Sequence, residues 1–222
     1  MPIFQREKIS PNNFNLFDSI LIEFERSLYV LFGTPISNQP NPAKTKESNN
    51  NLSFEDKVHS CGLMRINHIG EICAQALYRG QSLICKESEA KELLRKAADE
   101  ELDHLIWCHH RIKELGGNSS ILKPLWYVSS FFLGVIAGVF GEPYNLGFVV
   151  ETEKQVESHL EKHLLILPKN DQRSREILEK MKEDEKKHAD EAKNAGGVEL
   201  NFLICIVMSL MSKIMINISY KI

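Results

Sequence analysis

Glu101-Leu-Asp-His104 sets a carboxylate and an imidazole three residues apart, and Glu185-Lys-Lys-His188 repeats the arrangement later in the chain. A further glutamate precedes each by about 30 residues: Glu71 for the first, Glu153 for the second. Residues three apart on an α-helix share a face, so each Glu-x-x-His offers both groups to one neighbour. The midpoint of the first interval falls in the polar stretch Lys86-Glu87-Ser88. The midpoint of the second falls in Pro168-Lys169-Asn170-Asp171, a helix-breaking turn. At about 1.5 Å of rise per residue, antiparallel helices folded at those turns bring each lone glutamate level with its Glu-x-x-His. The pattern predicts two helical hairpins in an all-α fold.

The faces that carry these groups are the apolar ones. Leu94, Ala97, Glu101, His104 and Cys108 follow a helical rhythm, as do Leu178, Met181, Glu185, His188 and Ala192. Val149, Glu153, Val156, Leu160 and Leu167 form a third seam, which selects Glu153 over Glu151 and Glu157. His68, Glu71, Gln75 and Tyr78 continue a fourth behind Met64. A carboxylate in an apolar seam is costly to bury unless it is paired or bound to metal. A lone Glu from one helix and Glu-x-x-His from its partner, taken twice, is the ligand set of a di-iron or di-manganese four-helix bundle. Carboxylate-rich sites with two histidines favour Fe or Mn over Zn. Glu71, Glu101, His104, Glu153, Glu185 and His188 are therefore the expected metal ligands, and redox chemistry with O2 the expected use. A single Glu-x-x-His is commonplace on a solvated helix; the matched second copy gives this one weight.

The chain has 222 residues, enough for one domain with a sizeable core. Its 27 basic and 30 acidic residues leave no nucleic-acid footprint. Five cysteines, at 61, 73, 85, 108 and 205, include no C-x-x-C. With no secretory signal in view, they read as reduced thiols in a cytosolic compartment. No glycine-rich nucleotide loop is present, so a nicotinamide reductant would not bind in a Rossmann site.

Residues 1–52 read as an amphipathic helix from Phe14 to Phe32 and then a polar linker centred on Asn38-Gln-Pro-Asn-Pro42. Residues 53–195 hold the four bundle helices, expected over 53–85, 89–115, 146–167 and 172–195, with the second and fourth stopped by Gly116-Gly117 and Gly196-Gly197. An apolar crossover, 118–145, joins the two hairpins, and residues 196–222 form a last apolar or amphipathic helix. Pro124 to Gly141 carries no charge and is a transmembrane candidate by length. A single crossing there would place half the ligands on each side of the bilayer. The segment is therefore expected to lie on the bilayer, re-enter it, or pack in the crossover, its Gly134, Gly138 and Gly141 suiting a bent or closely packed helix. Phe202 to Met211 is also uncharged but reads as too short to span, with Lys213 and Lys221 placed to reach headgroups. Two exposed apolar helices beside a buried site suggest a monotopic protein with a lipid-soluble substrate.

The run Leu63-Met-Arg-Ile-Asn-His-Ile-Gly-Glu-Ile-Cys-Ala-Gln-Ala-Leu-Tyr-Arg-Gly-Gln81 resembles the bacterial demethoxyubiquinone hydroxylase family. Asp99-Glu-Glu-Leu-Asp-His104, Phe148-Val-Val-Glu-Thr-Glu153, Asp184-Glu-Lys-Lys-His188 and Met211-Ser-Lys-Ile-Met215 extend the likeness over nearly all of the chain from Phe14. The stretch from Asn201 to Met208 is more apolar than the family pattern. The resemblance implies a ferritin-like di-iron monooxygenase of ubiquinone biosynthesis. It would hydroxylate the ring of 2-polyprenyl-3-methyl-6-methoxy-1,4-benzoquinol with O2, using two Fe that are diferrous in the O2-reactive state. The family's ligand pattern falls on the same six residues that spacing selects. The implied location is the cytoplasmic face of the bacterial inner membrane, with a polyprenyl benzoquinol, O2 and the membrane surface as partners. A homo-oligomer or a complex of biosynthetic enzymes stays open, as do the tail length, the reductant and which glutamates bridge. The nearest alternative is a ferritin- or rubrerythrin-like iron oxidase or peroxidase, which shares the ligands but has no need of the uncharged segments.

Among other residues, His68 and Tyr78 stand near Glu71 as candidates for shaping a substrate channel. The resemblance puts His159 near substrate. His104 and His188 should each have their second ring nitrogen held by an acid from a neighbouring helix. His109 and His110 read as solvated or as complementing a helix end, while His59 and His163 carry no signal.

Overall fold

The structure, a computed structural model, describes residues 16–44, 52–86 and 89–222. The expected helix start at Phe14, residues 45–51 of the linker, and Glu87-Ser88 in the first hairpin lie outside them. Among the described residues all regular structure is helical: α1 (Leu16–Phe32), α2 (Phe54–Ile84), α3 (Glu89–Glu114), α4 (Lys123–Val139), α5 (Glu142–Ile166), α6 (Gln172–Asn194) and α7 (Phe202–Ser219).

Local chemistry sets these boundaries. The Ser53 side chain caps α2 by accepting from the Asp56 amide at 3.1 Å, with Glu55 and Asp56 in the first turn. Asp171 caps α6 by accepting from the Ser174 amide at 3.0 Å, and Arg111 Nη2 of α3 donates to the same oxygen at 2.7 Å. Gly116 (φ 81°) and Gly196 (φ 104°) end α3 and α6 in the left-handed region, where a side chain would be strained. The third bundle helix starts four residues earlier than expected, because Pro143 suits a first turn that needs no amide donor.

α2 pairs with α3 and α5 with α6, and the hairpins meet with α3 against α6. Apolar clusters fill the bundle at two levels. One joins Leu63 and Met64 of α2 to Trp107, Cys108 and Ile112 of α3, Leu160 of α5, and Leu178 and Met181 of α6. The other joins Leu77 and Tyr78 to Leu94, Ala97, Val149 and Ala192. On every helix the predicted ligand falls between the two levels, so the bundle closes over it from both ends. A third cluster, Val30, Leu31, Ile69, Ile72, Ile106 and Tyr127, seats α1 and α4 on the outside of α2.

The crossover is a packed helix. α4 runs along α2 so closely that a Cβ on Gly134 would stand 2.1 Å from the Leu77 carbonyl oxygen. Its outward side leaves Leu125, Val128, Phe132, Ile136 and Val139 exposed. The last helix corrects the sequence reading. α7 is an unbroken 18-residue helix of mean hydropathy 2.0, long and apolar enough to cross a membrane and only 6 % buried. Lys213 does not end it, since Ile214, Met215, Ile216 and Ile218 carry the apolar pattern on. Both ends of α7 nonetheless touch the bundle. Gln155 Nε2 donates to the Cys205 carbonyl at 3.4 Å; Arg65 Nη1 donates to the Tyr220 carbonyl at 2.7 Å, and the Tyr220 hydroxyl bonds His59 Nδ1 at 2.8 Å. The five cysteines are all free thiols.

Candidate metal centre

The six predicted residues converge. Glu71 comes from α2, Glu101 and His104 from α3, Glu153 from α5, and Glu185 and His188 from α6; none is more than 2 % exposed. Ligand-capable atoms of Glu71, Glu101, His104 and Glu185 lie within 4.8 Å of one another, and so do those of Glu101, Glu153, Glu185 and His188. Glu101 and Glu185 belong to both groups, which the sequence left open; Glu71 and Glu153 belong to one each.

Both imidazoles turn Nδ1 inward. His104 Nδ1 stands 3.2 Å from Glu101, 3.4 Å from Glu185 and 3.6 Å from Glu71. His188 Nδ1 stands 3.2 Å from Glu101, 3.5 Å from Glu185 and 3.7 Å from Glu153. The outward nitrogens are held crosswise. His104 Nε2 of α3 meets Asp184 Oδ2 of α6 at 3.1 Å, and His188 Nε2 of α6 meets Glu100 Oε2 of α3 at 2.6 Å. These are the acids the sequence reading did not name, although each directly precedes the glutamate of a Glu-x-x-His. Lys180 Nζ bonds Asp184 at 2.5 Å and Lys96 lies 3.8 Å from Glu100, so both acids are themselves anchored. The Tyr78 hydroxyl donates to Glu153 Oε1.

The electrostatics call for positive charge. Burial and the carboxylates of Glu101 and Glu185 push Glu71 and Glu153 well above the ordinary carboxylate range. Glu101 goes the other way: burial opposes its charge, but the imidazoles of His104 and His188 beside it outweigh that. His104 is raised because the nearby carboxylates of Asp184, Glu101, Glu185 and Glu71 overcome burial, and His188 is raised by Glu100, Glu101 and Glu185 against the same opposition. Glu101 Oε1, Glu153 Oε2, both Glu185 oxygens and His188 Nδ1 are buried yet make no hydrogen bond. Unpartnered acceptors facing one another are what cations satisfy, and a donor set of carboxylate oxygens and two imidazoles suits a redox metal of the iron or manganese kind.

A cavity of about 190 Å³ reaches Glu71 from the outside of the bundle. Its wall is mostly apolar: Leu77 of α2, Trp126 and Leu133 of α4, Phe148 of α5, and Met208, Met211 and Met215 of α7. His159 lines it, one side of its ring against His163 with centroids 3.9 Å apart. His68 and Tyr78, read as channel candidates, do not. Tyr78 is spent on Glu153, and His68 packs inside the bundle against His109 at 5.6 Å between ring centroids. His109 is half-buried and bonds Ser119 at 3.1 Å, while His110 is exposed. His59, which carried no signal, holds Tyr220 at the end of α7. Glu151, outside the seam, accepts from Gln155 at 2.6 Å rather than joining the cluster.

Fold and site together define a ferritin-like helical bundle whose buried carboxylate and imidazole groups are suited to metal. Within that class, the chain belongs to the family of ubiquinone biosynthesis protein COQ7, whose pattern it matches over residues 59–219. It is 52 % identical to the 3-demethoxyubiquinol 3-hydroxylase of Bordetella pertussis over 203 residues, 91 % of either chain. The enzymes of the same name from Bordetella avium and Xylella fastidiosa are each 50 % identical, over 96 % of this chain and 98 % of theirs.

Proposed function

We propose that this protein is a 3-demethoxyubiquinol 3-hydroxylase that holds two iron ions in the carboxylate cluster and works at a membrane surface. One observation carries the reading: an apolar cavity, walled in part by α4 and α7 with their exposed apolar side chains, ends on Glu71 of the cluster. A soluble iron oxidase has no use for such a cavity, whereas a ring on a polyprenyl chain fits it.

Glu71, Glu101, His104 and Glu185 would hold one ion and Glu101, Glu153, Glu185 and His188 the other, with Glu101 and Glu185 shared. Two reduced iron ions held there would supply the two electrons and the O2 activation that insertion of one oxygen atom into the ring requires. The protein's own groups do the rest. Asp184 and Glu100 fix the tautomers by accepting from Nε2, which leaves each Nδ1 lone pair facing inward. Tyr78 occupies one oxygen of Glu153 and leaves the other, Oε2, free to face the site. The two apolar levels of the core keep bulk water from the reacting centre. The ring enters beside Glu71, and its tail runs out past the three methionines of α7. α7, tied to the bundle at both ends, lies along the protein in the bilayer interface on the cytoplasmic face, with α4 beside it.

The test is a set of three variants of the iron-loaded chain. Glu153→Ala and His188→Ala should abolish hydroxylation and lower the iron content, while Glu151→Ala changes neither. Full iron in Glu153→Ala would show that Glu153 is no ligand and overturn the assignment.

A further inference from the structure

Asn67 stands one helical turn before Glu71 on α2 and lines the same cavity. It is 3 % exposed, and neither the oxygen nor the nitrogen of its carboxamide has a hydrogen-bond partner. Buried polar atoms are almost always matched, so an unmatched donor and acceptor at a cavity wall point to a ligand. Trp126 Nε1 and His159 Nε2 are also buried, unpartnered and on this wall, but each supplies a single atom from α4 or α5. Among the buried, unpartnered groups of this wall Asn67 alone offers a donor and an acceptor side by side, on the helix that carries Glu71. The Gln155 carboxamide is engaged by Glu151.

We propose that Asn67 orients the substrate ring by a two-point hydrogen bond: its carboxamide oxygen accepts from a ring hydroxyl, and its N–H donates to the methoxy oxygen on the adjacent carbon. The proposal rests on the quinol reading above. A methoxy-benzoquinol carries a hydroxyl and a methoxy group on neighbouring carbons, one a donor and one an acceptor, and a carboxamide is complementary to that edge. One helical turn, about 5.4 Å, separates Asn67 from Glu71 along α2. A ring held by this edge turns the unsubstituted carbon beside the methoxy group toward Glu71, while the tail faces Met208, Met211 and Met215. The match also selects the substrate. A quinol with hydrogen in place of methoxy leaves the amide N–H buried and unpaired, and sites built for a hydrogen bond reject such analogues strongly.

The experiment titrates the iron-loaded full chain, in detergent and without O2, with two short-tailed quinols that differ only in methoxy against hydrogen; calorimetry reads the two dissociation constants. The wild type should bind the methoxy quinol at least about tenfold more tightly. Asn67→Leu, of similar volume, should bind the two about equally while keeping the wild-type iron content and melting temperature. Should the leucine variant not fold, Asn67→Ala should give the same loss of ratio. A wild type with no preference, or a variant that keeps the ratio, overturns the proposal. The hydroxylase reading fails separately: a retained methoxy preference with no hydroxylated product in air would leave the orienting role of Asn67 standing.

Discussion

Asp184 and Glu100 show how much of the candidate centre lies one residue beyond the clustered groups themselves. Each is pulled below the ordinary carboxylate range. For Glu100 the largest influence is the bond from His188; for Asp184 burial opposes ionisation and the bonds from His104 and Lys180 outweigh it. Asp184→Ala should weaken iron binding by roughly 10–100-fold, and Asp184→Asn, which keeps an acceptor, should restore part of it. An unchanged metal titration of the alanine variant would contradict the role. Spacing picked out the six residues that cluster because i, i+3 geometry constrains sequence directly. It could not reveal the crossed pairing, since Glu100 serves the histidine of α6 and Asp184 that of α3. His163 is another residue of which periodicity gave no sign. Burial, then His159 and His59, push its pKa down to about 3. A base so depressed stabilises the fold above its unfolded pKa near 6.5, and that contribution is lost as pH falls toward 3, because the unfolded chain takes up the proton first. At pH 5 the loss is about 2 kcal/mol. The urea midpoint of His163→Gln should therefore fall less between pH 7 and pH 5 than that of the wild type; equal slopes would contradict the buried neutral imidazole.

The helices of the bundle were legible to within a few residues because caps and stops are local: Ser53, Asp171 and the Gly-Gly pairs act through their own backbone neighbours. The apolar helices were harder, since an uncharged stretch has the same composition whether it spans, lies flat or packs. Contact with α2 decided the matter for α4, where Gly134 lets the two backbones meet. For α7 the spanning length was underestimated because only the uncharged stretch up to Met211 was counted, whereas the apolar pattern runs on past Lys213. These two helices leave a broad apolar surface, with Phe132, Val139, Phe202 and Leu203 all more than 60 % exposed, and the proposed bilayer contact is tested on it. The full chain should float with liposomes in a density gradient, and Phe202→Glu with Leu203→Glu should leave it at the bottom without changing its helicity. Wild-type protein that stays at the bottom would sink the monotopic assignment.

At the scale of the whole molecule, the two hairpins close a buried, carboxylate-rich centre between two apolar levels of core, and the crossover and last helix add a cavity that reaches it from the side of the exposed apolar helices. The first part is shared with any ferritin-like iron protein; the second is what a quinol enzyme needs. Family membership and relatives of about 50 % identity over most of the chain agree with the second. The direct test is a single turnover of the iron-loaded, reduced protein with 3-demethoxyubiquinol and isotopically labelled O2. The account predicts one labelled oxygen atom in a hydroxylated quinone product. Iron oxidation without labelled product would contradict it and assign the chain to the iron oxidases.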